Sequence, residues 1–142
     1  MPAGVTTDYR VIYGDTDQMG VVYYANYLRL FEIGRNEWIR GSGSAYTRFE
    51  DEGLFLPVAE AKVRYHRSAK YDDLVSIHCW LAAMKGASLC FEYDLRRGDD
   101  VLATGMTRHA LVDGEGRPKR WPTALKDLVK AWQAQLEEEA HG

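Results

Sequence analysis

One aspartate stands a short turn ahead of a helical pattern in the stretch Tyr13-Gly14-Asp15-Thr16-Asp17-Gln18-Met19-Gly20-Val21-Val22-Tyr23-Tyr24-Ala25-Asn26-Tyr27. An extended segment leads in, Gly20 supplies a turn, and helical spacing begins near Tyr24. A helix amino terminus leaves backbone N–H groups without intrahelical acceptors and carries partial positive charge, so it can hold a carbonyl oxygen or an oxyanion. A carboxylate beside such donors completes the minimum set for acyl-transfer hydrolysis. The donors stabilise charge developing on the carbonyl oxygen, while the acid attacks the carbonyl carbon or activates water to do so. Asp17 has the position for that task. Asp15 reads as structural, since acids at such places commonly order turns by accepting backbone N–H groups.

The elements that must position this pair follow from periodicity. Residues 8 to 14 alternate as a first strand, with Tyr9, Val11 and Tyr13 on one side. From Tyr24 to Arg40 the spacing is helical, with Tyr27, Leu30, Phe31, Gly34 and Trp38 on one face. Gly34 costs about 1 kcal/mol of helix propensity, which a close approach by another element would offset. Gly41-Ser42-Gly43-Ser44 caps the helix, and residues 44 to 51 allow a short second one before Gly53. Four strand patterns then follow as a meander. In Val58 to Arg67, Ala59, Ala61, Val63 and Tyr65 form one side of a half-buried strand. Val75, Ile77, Cys79, Leu81 and Ala83 make the next inward set, then Leu89, Phe91, Tyr93 and Leu95, and a last strand runs from Val101 to Val112. From Pro122 an amphipathic helix places Leu125, Leu128, Val129, Trp132 and Leu136 on one face, and its acidic end, Glu137-Glu138-Glu139, is expected to fray. The class is α+β: a five-stranded antiparallel sheet wrapped around a long central helix, with a C-terminal helix.

Composition removes several other functions. At 142 residues, 46% apolar and 27% charged, the chain is one folded domain, residues 1–142. A net charge of −3 argues against general nucleic-acid binding. No run of about 18 apolar residues predicts a membrane span. The amino terminus lacks the layout of a signal peptide, so a cytoplasmic protein is expected. Cys79 and Cys90 stand apart in strand-like segments and read as core thiols. The histidines at 66, 78, 109 and 141 lack metal-site spacing, and no glycine-rich phosphate loop is present, so neither a metal nor a nucleotide cofactor is expected.

The string Asp15 to Tyr27, followed by Phe31-Glu32 and Arg35, closely resembles the signature of hotdog-fold acyl-CoA thioesterases of the 4-hydroxybenzoyl-CoA thioesterase and YbgC-like type. The resemblance continues through Tyr65, Tyr71-Asp72-Asp73 and Lys85-Gly86-Ala87-Ser88, covering a core of about residues 8–121, with the C-terminal helix at about 122–139 beyond it. It implies a hotdog fold and hydrolysis of an acyl-CoA to free acid and CoA, with CoA entering only as part of the substrate. Asp17 matches the family's catalytic carboxylate, and the Tyr24 backbone N–H matches the donor that polarises the thioester carbonyl. Many YbgC-like members carry His where this chain has Tyr24, so the role expected of that position is its backbone's. An acyl pocket is expected among Gly20, Val21, Tyr23, Tyr27, Val63 and Tyr65. Cations for the CoA phosphates are expected among Arg67, Lys85, Lys119 and Arg120, together with Ser88 of the Lys85 turn. Family sheets join edge to edge, which implies a homodimer or homotetramer. Two alternatives stay open: hydrolysis of acyl groups on a carrier protein, and a hotdog module that binds an acyl or CoA ligand without chemistry.

Overall fold

The computed structural model describes residues 1–141. The chain runs β1 (Val5–Arg10), a 3-10 turn (Tyr13–Asp15), α1 (Asn26–Gly41), α2 (Ser44–Asp51), β2 (Val58–Tyr65), β3 (Leu74–Lys85), β4 (Ser88–Arg97), β5 (Asp100–Ala110) and α3 (Thr123–His141). All neighbouring strands are antiparallel, in the order β1-β3-β4-β5-β2. Only β3, β4 and β5 form the expected meander. β2 lies at the far edge beside β5, because α1 and α2 carry the chain from one edge of the sheet to the other before it re-enters.

The sheet curls round α1, giving the hotdog arrangement. Tyr27, Leu30, Phe31, Gly34 and Trp38 are the buried residues of the helix. They meet a wall that includes Val75, Ile77 and Cys79 of β3, Phe91, Tyr93 and Leu95 of β4, and Leu102 and Ala103 of β5. Phe31 stacks on Tyr93 with ring centroids 4.6 Å apart. Each fully buried large side chain here contributes about 1.5–3 kcal/mol through removal from water. A Cβ on Gly34 would come within 2.6 Å of the Ile77 methyl carbon, the close approach its propensity cost implied. α3 closes one end of the helix layer: Trp132 donates its indole N–H to the Trp38 carbonyl at 3.1 Å, and Leu125, Val129 and Leu136 are buried.

Several expectations need correction. β1 occupies residues 5–10 rather than 8–14, because beyond Arg10 the Val11 N–H turns to the Asp73 carbonyl. Asp15 then takes the Ile12 N–H and folds the next residues into the 3-10 turn. β2 is largely exposed along both faces instead of half-buried, since an edge strand has a neighbour on one side only. It also stops at Tyr65, where the N–H groups of His66 and Arg67 both turn to the Leu102 carbonyl. Cys79 is buried, and burial pushes its thiol up, but Cys90 is only partly covered. The acidic end of α3 stays helical to His141.

A polar chain crosses the core with one permitted direction. His109 is fully buried, with Nδ1 2.9 Å from the Leu56 carbonyl, which can only accept. In the neutral ring Nε2 must therefore accept the Thr107 hydroxyl at 2.8 Å, leaving Thr107 to accept from Tyr93 at 2.6 Å. The Tyr93 oxygen in turn accepts from Arg35 at 3.2 Å. Burial lowers the pKa of His109 despite the favourable Leu56 carbonyl. The unfolded chain thus binds a proton near pH ~6.5 that the folded chain resists. Stability from this group is complete above that pH and declines as pH falls through it toward the lower folded value. Urea midpoints measured from about pH 7.5 to 5 should fall on the acid side, and His109→Gln should flatten that slope. An unchanged slope in the variant counts against this assignment.

Candidate active site

Asp17 sits at the root of a small hairpin between the 3-10 turn and α1. Its N–H donates to Val21 at 2.9 Å, the Gly20 N–H returns to its carbonyl at 3.1 Å, and Thr16 bridges Val22. Gly20 closes the turn at φ +78°, a left-handed value that glycine adopts without a side-chain penalty. One carboxylate oxygen of Asp17 accepts the Met19 N–H at 2.8 Å, an Asx turn that fixes the side chain. The side chain is exposed, and that single hydrogen bond leaves the carboxylate with acceptor capacity to spare.

Helix α1 begins without a side-chain cap: Ala25 stands at its N-cap. The Asn26 N–H finds the Tyr23 carbonyl, whereas those of Tyr24 and Ala25 have no acceptor among the described residues. The Tyr24 carbonyl accepts the Tyr65 hydroxyl at 2.9 Å, so β2 holds the start of the helix. Two free N–H groups at a positive helix end attract a carbonyl oxygen.

These features share one hollow of about 370 Å³, lined by Asp17, Val21, Val22, Tyr24, Tyr27, Tyr65, His66, Arg67 and Ser68. Of the residues expected at an acyl pocket, Val21, Tyr27 and Tyr65 are in its walls. Tyr27 is largely core, and its hydroxyl oxygen accepts the Ala69 N–H at 3.1 Å. Gly20 shapes the turn, Tyr23 leans on the Tyr24 ring, and Val63 lines a different hollow. That other hollow is larger, about 710 Å³, but its walls come from strands alone and include nothing from residues 13–27. A third, about 340 Å³, lies farther along α1 and β2 among Leu28, Arg29, Glu32, Arg35, Val58, Ala61 and Thr107. Sequence reasoning did not bring Val22, His66 or Ser68 to Asp17. For His66 the available signal was its place directly after Tyr65 at the end of a strand.

The expected CoA cations divide into two groups. Arg67 lines the Asp17 hollow and pairs with Asp100 at 3.7 Å. Lys85 and Ser88 stand opposite each other at the β3–β4 turn, in register with Ala110, whereas Tyr65 is in register with Ala103. Seven β residues span about 23 Å, so this turn lies at the other end of the sheet. Lys119 and Arg120 accompany the turn: the Lys119 N–H reaches Leu111, and the Trp121 N–H reaches Gly86. Lys119 pairs with Asp113 at 3.8 Å. Among the described residues no group of three or more His, Cys, Asp or Glu could hold a metal ion, and no helix is long and apolar enough to cross a membrane.

A long helix clasped by a five-stranded antiparallel sheet is the hotdog arrangement. The chain belongs to the Thioesterase-like superfamily, whose family model matches residues 11–132. It is 35% identical over 125 residues to the acyl-CoA thioesterase YbgC of Haemophilus influenzae, a match covering 87% of this chain and 92% of that one. Among solved structures, a hypothetical protein from Thermus thermophilus is 31% identical with a TM-score of 0.82, covering 89% of this chain and 98% of the other. The DHNA-CoA thioesterase of Staphylococcus aureus is 25% identical with a TM-score of 0.81, covering 94% and 93%.

Proposed function

We propose that this protein is a cytoplasmic acyl-CoA thioesterase that hydrolyses the thioester to a free carboxylic acid and CoA. The substrate carbonyl oxygen accepts the Tyr24 N–H at the helix start, and Asp17 acts on the carbonyl carbon. By one route the carboxylate attacks, the C–S bond breaks, CoA leaves as a thiolate that takes a proton, and water then opens the mixed anhydride. By the other, Asp17 takes a proton from water as its oxygen attacks, and the same bond breaks. The reaction draws on no cofactor beyond the CoA of the substrate. The observation that carries this reading is one hollow lined by both an exposed carboxylate and a residue whose helix-start N–H is free.

The acyl group enters between α1 and β2, whose Tyr27 and Tyr65 line the Asp17 hollow. β2 leaves one edge free and is exposed on both faces, the condition that edge pairing relieves. Two copies pairing antiparallel through β2 reverse their strand directions, which brings the Lys85–Ser88 end of one sheet toward the Asp17 end of the other. In that homodimer the basic residues of one copy serve the CoA of its neighbour, and two dimers can associate as a homotetramer.

The test is release of free thiol from acyl-CoAs ranging from short aliphatic through benzoyl to long-chain, in parallel with the same acyl groups on a carrier protein. Turnover of the CoA esters is expected. Turnover restricted to carrier-bound substrates redirects the reading to that class, and tight binding without product makes the protein a ligand-binding module.

A further inference from the structure

Asp15 is buried at 1% exposure, yet the chemistry proposed above does not use it. One carboxylate oxygen accepts both the Ile12 N–H at 2.9 Å and the Tyr9 hydroxyl at 2.7 Å. The other pairs with Arg29 in the first turn of α1. Its backbone carbonyl accepts the Tyr23 N–H and the Asn26 side-chain amide, both at 2.9 Å. A single residue therefore ties together β1, the 3-10 turn, the lead-in to the helix and the helix itself. Burial, with the Asp15 hydrogen bond next, raises the pKa of Tyr9, so its phenol remains a donor.

These bonds surround the hairpin on both sides. Asp17 lies two residues after Asp15, and Tyr24 lies one residue after Tyr23, whose N–H is held by the Asp15 carbonyl. The separation of the Asp17 acid from the Tyr24 N–H is thus set by what holds Asp15.

We propose that Asp15 is a positioning residue: its carboxylate, gripped by Tyr9, Ile12 and Arg29, fixes the distance between Asp17 and the Tyr24 N–H without touching substrate. This inference rests on the thioesterase reading. Asp15→Asn offers Arg29 an amide instead of a carboxylate and cannot satisfy all three donors with one carbonyl oxygen. Arg29→Met removes only the ion pair between Asp15 and the helix, and leaves the Tyr9, Ile12 and Asn26 hydrogen bonds in place.

The experiment compares steady-state hydrolysis, CoA binding and thermal unfolding in wild type, Asp15→Asn and Arg29→Met, assayed well below each Tm and normalised to folded protein. Misplacing reacting groups by about 1 Å costs on the order of 100-fold in rate. A fall in kcat of that order is expected for Asp15→Asn and of about tenfold for Arg29→Met, with KM and CoA affinity within about twofold. A lowered Tm with wild-type kcat per folded molecule overturns the proposal, because a purely structural tie would give that result. If Asp15→Asn fails to fold, Arg29→Met decides by the same split between kcat and KM. Absence of hydrolysis by wild type overturns the thioesterase reading and this inference together, whereas full activity in the variants overturns this inference alone.

Discussion

Asp17→Asn is expected to lower kcat by at least about 10³-fold while KM, CoA affinity and Tm stay near wild type. The substitution is nearly isosteric, and asparagine can keep the Asx turn because its carbonyl oxygen accepts the Met19 N–H as the carboxylate does at 2.8 Å. The carboxylate is lost as a base and as a nucleophile, and the amide that replaces it is neither. Of the other side chains that line the hollow, Tyr24, Tyr27 and Tyr65 are phenols and Arg67 is a cation, while the His66 ring is engaged by the Thr104 hydroxyl through Nε2 at 3.3 Å. The free helix-start N–H remains, so a residual rate above that of water should persist. Stopped assays with a thiol reagent, alongside calorimetric CoA titration, separate the loss of chemistry from loss of binding. A folded variant with more than about a tenth of wild-type kcat excludes Asp17 from the bond-breaking step.

Gly105→Ala is expected to have the largest effect on stability. Gly105 lies in β5 opposite Val63 of β2 and Tyr93 of β4. A methyl there would overlap the Phe31 ring and lie 2.6 Å from the Lys62 carbonyl oxygen. The ring cannot swing aside because it is stacked on Tyr93, and the carbonyl belongs to a strand backbone. Overpacking of this kind costs about 3 kcal/mol, or roughly 6–12 °C in Tm for a domain of this size. Relief by displacing β2 would move Tyr65 away from the Tyr24 carbonyl, so kcat/KM should fall as well. Calorimetry and kinetics on one preparation test both parts, and a Tm within about 2 °C of wild type contradicts the packing argument.

The helix and the three inner strands were legible because their periodicities are strong and their faces are filled on one side. Tyr27, Leu30, Phe31 and Trp38 are buried as their spacing required, and Leu89, Phe91, Tyr93 and Leu95 are all buried. The close approach inferred at Gly34 is filled by Ile77. β2 misled for a physical reason: its alternation resembles that of a half-buried strand, but what covers an edge strand is not written in its own residues. Sheet order was invisible for a related reason, since the crossing from β1 to β2 depends on where α1 lies. The residues carried by the hairpin and helix start were legible because a short local segment delivers them. His66 and Ser68 reach the same hollow from the segment that follows β2, far later in the chain, and no local spacing reports that approach. Nor could sequence divide the basic residues between the two ends of the sheet, because strand register decides it.

Asp17→Asn should hold an intact acyl-CoA, and a crystal structure of that complex tests the central geometry most directly. The thioester oxygen is predicted about 2.7–3.1 Å from the Tyr24 nitrogen, with the carbonyl carbon about 3–3.5 Å from the residue 17 side chain. A bound thioester whose carbonyl points away from the start of α1, or lies in a hollow that residue 17 does not line, would contradict the account.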